Sequence, residues 1–123
     1  MDLKKLLSFL PFEKELVLNV YLLGSRMFGV YEENTDYDFA VVVCDRYRGT
    51  KKLEMEKEGV GLDVTLYTLS SFQSLVEEGD MEVLICLFLD PKFVWMEKSK
   101  IHFYLSLYLV EKNSLKSCTS NLF

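Results

Sequence analysis

The chain has 123 residues, half of them hydrophobic and 14% aromatic, with a formal net charge of −5. That length predicts one domain able to bury about two-thirds of its unfolded surface, and the apolar content argues against disorder. The acidic balance argues against a broadly basic nucleic-acid footprint.

In chain order, residues 2–9 place Leu3, Leu6 and Leu7 at helical spacing, and Leu10 continues the pattern until Pro11 stops it. The six-residue apolar patch there is too short and too charged for a signal peptide or a membrane span. LVLNVYLL (16–23) is β-rich and nearly all apolar, as in a strand buried on both faces. Gly24-Ser25 punctuates it, a short helix is expected over 25–31, and EENTD (32–36) reads as a loop. YDFAVVVC (37–44) is a second buried strand. Runs 51–59 and 60–69 form a hairpin around Gly59-Val60-Gly61. Ser70-Ser71 caps a helix over about 71–78, and Gly79 ends it. Residues 81–89 read as a helix between an Asp80 cap and Pro91. PKFVWME (91–97) reads as extended, and Ser99 caps a last helix to about 112. The order α-β-α-β-β-β-α-α-α predicts an α/β (α+β) domain, a small mixed sheet flanked by helices, with its core over 13–97 and a polar tail over 113–123.

Cys44, Cys86 and Cys118 are odd in number and widely spaced. No Cys/His cluster accompanies them, so no structural zinc is expected. Cys44 and Cys86 sit in apolar runs as buried thiols, which fits a reducing, cytoplasmic setting.

The chemistry concentrates on carboxylates. Asp36 and Asp38 flank Tyr37 at the mouth of an apolar strand, so alternation sends both to one face. Two carboxylates that close repel unless a cation joins them, and magnesium readily uses one or two carboxylates with phosphate oxygens. Asp63 interrupts another apolar, β-rich run, and converges on the pair if strand 60–69 lies beside strand 37–44. An aspartate ahead of a strand is also a common turn residue. Gly24-Ser25 between strand and helix suits an anion, with backbone N–H groups, a hydroxyl and the nearby Arg26, although an ordinary turn reads the same way.

The combination is more specific than its parts. An apolar strand, Gly-Ser, a ten-residue spacer, Asp-x-Asp on a strand and a lone Asp on a later strand resemble the DNA polymerase β-like nucleotidyltransferase superfamily. The matching residues are Gly24, Ser25, Asp36, Asp38 and Asp63. GSRMFG…TDYDFAVVV looks similar to the small RNA-repair-associated (RlaP-like) branch and to the minimal nucleotidyltransferases, and EVLICLFLDPKFVW extends the likeness to about residue 96. The resemblance implies transfer of a nucleoside monophosphate from an NTP to a hydroxyl, releasing pyrophosphate. It implies Mg²⁺ or Mn²⁺ held by Asp36, Asp38 and Asp63, with Asp63 helping to remove the acceptor's proton. It also implies phosphates held by Gly24 and Ser25, with Arg26 as a further contact. The acceptor is an RNA, a protein or a small molecule. A protein partner or a homo-oligomer is an open expectation, and a membrane is not. The alternative is a catalytically idle, antitoxin-like binding module.

Other polar groups have plainer readings. Glu54, Glu56 and Glu58 share one strand face as the solvated side of the hairpin, or offer an alternative third ligand. Lys51 and Lys52 are surface residues, and His102 is a packed or surface histidine. Trp95 belongs to the core. Tyr31, Tyr37 or Tyr47 can stack on a base, and Arg46 and Arg48 can reach a phosphate.

Overall fold

A computed structural model describes residues 1–11, 13–26, 29, 36–46 and 50–99. Helix α1 spans Leu3–Phe9, and its cap is Asp2, whose carboxylate accepts from the Lys5 N–H at 2.8 Å. The strands are β1 (Val17–Leu23), β2 (Tyr37–Val43), β3 (Thr50–Lys57), β4 (Val60–Thr68) and β5 (Val94–Glu97). They form one sheet in the order β3-β4-β2-β1-β5. Strands β2 and β4 are parallel, and the other pairings are antiparallel. The expected small mixed sheet flanked by helices is therefore what forms.

Strand alternation divides the core into two layers. Phe39, Val41, Val43, Leu62 and Val64 meet Leu6 and Leu10 on the α1 side. Tyr21, Leu23, Ala40, Val42 and Tyr67 meet α2 (Leu69–Glu78) and α3 (Met81–Leu87) on the other. Because β1 and β2 lie inside the sheet and are covered on both faces, their sequences read as unbroken apolar runs.

Three expectations need correction. Helix α2 starts at Leu69, and its cap is Thr68, whose hydroxyl accepts from the Ser71 N–H at 3.2 Å. Ser70 instead bonds to Asp45, through its N–H at 2.9 Å and its hydroxyl at 2.5 Å. A threonine ending a strand can cap as well as a serine can, so composition alone pointed two residues too late. The hairpin turns at Glu58 and Gly59, both with positive φ, while Val60 and Gly61 already belong to β4. Two consecutive left-handed residues match the twist of the flanking strands. Cys44 is half-buried rather than buried, whereas Cys86 is buried and its thiol pKa is pushed up by burial.

Over 25–31, the described part of the expected helix is a single 3₁₀ turn, Gly24–Arg26. The loop at 32–35, the helix to 112, the polar tail, Cys118, Tyr31, Tyr47, Arg48 and His102 lie outside the described residues. Asn19 is buried, donates to the Tyr21 hydroxyl and accepts from the Ser99 N–H at 3.1 Å, which ties the end of β5 back to β1. Among the described residues, no helix is long and apolar enough to cross a membrane.

Asp45 is an exposed group with a testable pH signature. Its bonds from Ser70 hold its pKa below the ordinary carboxylate value. The stabilisation is therefore present above about pH 3.9 and fades as pH falls through the lowered value. Asp45→Ala is expected to melt below the wild type at pH 7, and the gap should narrow below pH 4. A gap that stays constant over that range in thermal scans would refute this role.

Candidate active site

The parallel pairing of β2 with β4 sets Asp38 directly beside Asp63, and the β3–β4 hairpin sets Glu54 on the far side of Asp63. Three carboxylates thus share one row across adjacent strands, about 4.8 Å apart by strand spacing. Like charges directly opposite one another destabilise a sheet. The row lies on the α2/α3 face, at the end of β2 where the apolar layer stops.

Asp38 carries the strain of this arrangement. Burial raises its pKa first, followed by the Asp63 charge and a hydrogen bond shared with Asp63; Asp36 and Glu82 add to the shift. Its carboxylate occupies the space where Gly24 would carry a side chain: a Cβ there would fall 2.9 Å from Asp38 Cγ. Gly24 also has φ +72°, so the glycine supplies both the turn and the room.

Asp36 is exposed and sits one row outward, against Gly61 of β4, where an added Cβ would fall 2.9 Å from one carboxylate oxygen and closer still to the other. Both aspartates of the pair therefore have glycine neighbours. Of the three aspartates expected to converge, strand pairing sets Asp38 beside Asp63, and Asp36 lies one row outward. Among the described residues, no three His, Cys, Asp or Glu side chains gather as a group able to hold a metal.

The carboxylate row opens into a cavity of about 410 Å³ lined by Gly24, Asp38, Lys52, Glu54, Asp63 and Glu82, with Thr65 beside Lys52. Glu82 reaches it from the first turn of α3 and accepts a hydrogen bond from the Tyr67 hydroxyl. Burial, and then Glu82, push the Tyr67 pKa up, so the phenol stays protonated as a donor. A recess of about 470 Å³ lies on the Asp36 side and shares Glu54 and Asp63 with the first.

Arg26 is the residue expected as a further phosphate contact. Its guanidinium lies 3.7 Å from the centre of the Tyr37 ring. Tyr37 stacks beside Phe39 at 5.9 Å and packs against the α1-side core, so Arg26 is drawn to the face opposite the carboxylates. Tyr37 is occupied in the same way, and Trp95 packs edge-on against Phe39. Arg46 and Lys51 are exposed. Gly24, Ser25 and Arg26 form the turn itself, and the expectation for the Ser25 hydroxyl lies outside what is described. Glu58 does not share a strand face with Glu54 and Glu56. It lies in the turn and pairs with Lys5 at 2.7 Å.

Gly61, Lys52, Tyr67 and Glu82 are the site residues that sequence reasoning missed. Gly61 alone carried a usable signal, because a glycine inside a strand often marks the close approach of another group. Glu82 and Lys52 look like any surface residue until the fold places them. No protein-family model and no curated protein matches the chain.

The two glycines predict opposite outcomes. Gly61 has ordinary strand backbone, and Asp36 is exposed and free to swing away. Gly61→Ala is expected to change stability by less than about 1 kcal/mol. Gly24→Ala must adopt a left-handed conformation, costing about 1–2 kcal/mol, and must also displace Asp38. Urea denaturation of both variants checks the ranking, and equal losses would contradict it.

Proposed function

We propose that the chain is a metal-dependent nucleotidyltransferase, transferring a nucleoside monophosphate from an NTP to a hydroxyl acceptor. The observation that carries this reading is the Asp38–Asp63 pair, two carboxylates in direct register at the mouth of a cavity with the Gly24 turn against one of them. The donor set fits a hard divalent cation. Its ligands are oxygens, two carboxylates suffice when substrate phosphates complete the shell, and burial together with the neighbouring Asp63 charge raises the pKa of Asp38, which a cation between the two carboxylates would offset. Asp38 and Asp63 would hold Mg²⁺ or Mn²⁺, with Asp36 beside them. A bound divalent ion supplies charge neutralisation and lowers the pKa of a coordinated hydroxyl.

The remaining chemistry belongs to the chain. The acceptor oxygen bonds to the α-phosphorus, the bond to the β-phosphate bridge breaks, and pyrophosphate leaves with that electron pair. Asp63 takes the acceptor's proton. The Gly24 turn borders the phosphates, and Glu82 of α3 lines the same cavity. Such a reaction asks mainly for positioning and electrostatic compensation.

A second reading is an idle binding module of the same fold, antitoxin-like, taking a nucleotide or a protein partner. The exposed position of Asp36 favours it, as does the lack of a three-ligand group among the described residues. Incubating the protein with Mg²⁺ or Mn²⁺ and each labelled NTP, with RNA, protein and small-molecule acceptors, separates the two. Transfer that disappears in the Asp36→Ala/Asp38→Ala double variant supports the enzyme. NTP binding without transfer supports the module, and the absence of both binding and transfer rejects both readings in their nucleotide form.

A further inference from the structure

We propose that Lys52 holds the phosphate chain of the nucleotide, taking the place that the sequence assigns to Arg26. The inference rests on the nucleotidyltransferase reading and adds the residue that recognises the substrate's charge.

The Arg26 guanidinium lies over the Tyr37 ring, which packs against the α1-side core, and Arg26 does not line the cavity. Among the described residues that line the cavity, Lys52 is the one basic side chain, facing Asp38, Glu54, Asp63 and Glu82. Register explains how it gets there. Lys52 pairs with Thr65 on β4, one row inward from the Glu54–Asp63 pair. Two residues along a strand span about 6.6–6.8 Å, so the lysine stem starts one row from the carboxylates and stays on their face.

Lys52 forms no salt bridge among the described residues, despite four carboxylates around the same cavity. Its three N–H donors are therefore available, and the neighbouring Thr65 hydroxyl can add a fourth. A triphosphate entering a cavity lined by carboxylates needs positive charge beyond whatever joins Asp38 to Asp63. An ammonium on a flexible stem supplies that as a point charge. Lys52 thus acts as a positioning residue for the phosphates.

Lys51 is the internal control. It is the preceding residue on the same strand, also exposed, and pairs with Leu66, which packs against the α1-side core, so it projects to the other face. Replacing either lysine by glutamine changes net charge by the same amount.

The test is equilibrium binding of fluorescently labelled ATP, GTP, CTP and UTP with Mg²⁺, followed by competition with inorganic tripolyphosphate. Lys52→Gln is expected to weaken binding of the preferred nucleotide by roughly tenfold or more, as for loss of a charged hydrogen bond. Lys52→Arg should recover most of it, and Lys51→Gln should stay within about twofold of the wild type. Tripolyphosphate should displace the label from the wild type and compete about tenfold less well against Lys52→Gln, because the lost contact is to phosphate. Circular dichroism confirms that each variant is folded. If the wild type binds an NTP and Lys52→Gln binds it equally well, this inference fails while the nucleotidyltransferase reading stands. Equal weakening by Lys51→Gln also overturns it, since general surface charge would then be responsible. If the wild type binds no NTP, both fall together.

Discussion

Asp38→Asn is expected to melt above the wild type at pH 7 in the absence of divalent ions and to lose at least a hundredfold of any metal-dependent turnover. The two effects have one cause. In the folded chain Asp38 is partly desolvated and faces Asp63, so its pKa is raised. Folding therefore favours its protonated form. The associated stability is complete below about pH 3.9, the ordinary aspartate value, and is lost as pH rises through the raised value. Above that raised value the wild type carries the penalty of an ionised, partly desolvated Asp38 facing Asp63. Relief of directly opposed charges across strands is worth about 0.2–1 kcal/mol, or on the order of 1–6 °C in a domain of this size. The wild type should in turn gain thermal stability on addition of Mg²⁺ or Mn²⁺, because an ion that binds only the folded state stabilises it by mass action. Asp38→Asn should respond weakly. Scanning calorimetry across pH 3–8, with and without each metal, measures both effects. A variant that melts below the wild type at pH 7, or that responds to metal as the wild type does, would show that the Asp38–Asp63 pair is not a strained cation site.

The second large effect is structural. Phe72 is fully buried on α2 and holds together the aromatic group beneath the cavity wall. Its ring stacks on Tyr21 at 6.2 Å and meets Tyr67 edge-on at 5.8 Å. Phe72→Ala is expected to remove about 3–5 kcal/mol, a large share of the roughly 5–15 kcal/mol typical of a domain. Tyr67 is also the residue whose hydroxyl bonds Glu82. The variant should therefore loosen α3 against the sheet as well as α2, and hydrogen exchange in both helices should rise. The midpoint of urea denaturation reads the first effect. A loss below about 1 kcal/mol would mean that this aromatic group does not secure the helices.

The fold was legible in the sequence where side-chain period and local caps decide the outcome. Strands β1 and β2 read correctly because a strand covered on both faces must be apolar throughout. Helix α1 read correctly from its leucine spacing and the Pro11 stop, and α3 from its Asp80 cap. The caps and turns that were displaced, at Thr68 and at Glu58–Gly59, are places where neighbouring residues of similar chemistry compete for one role. Only the actual backbone angles settle that competition.

The carboxylates were legible as chemistry and only partly as geometry. Asp36, Asp38 and Asp63 stood out by themselves because charge interrupts apolar, β-rich runs. Their meeting depended on strand order, which is non-local. The chain had to run out to the edge as β3 and return as β4, paired in parallel with β2 in the register that sets Asp63 beside Asp38. A shift of one residue would have turned Asp63 into the opposite core. The same pairing decided what no local pattern could: that Gly61 makes room for Asp36, that Lys52 rather than Arg26 faces the cavity, and that Glu82 reaches it from a helix. Residue type and spacing are properties of the chain alone and determined which groups are available. Register and packing bring distant residues together, and they decided which of those groups meet.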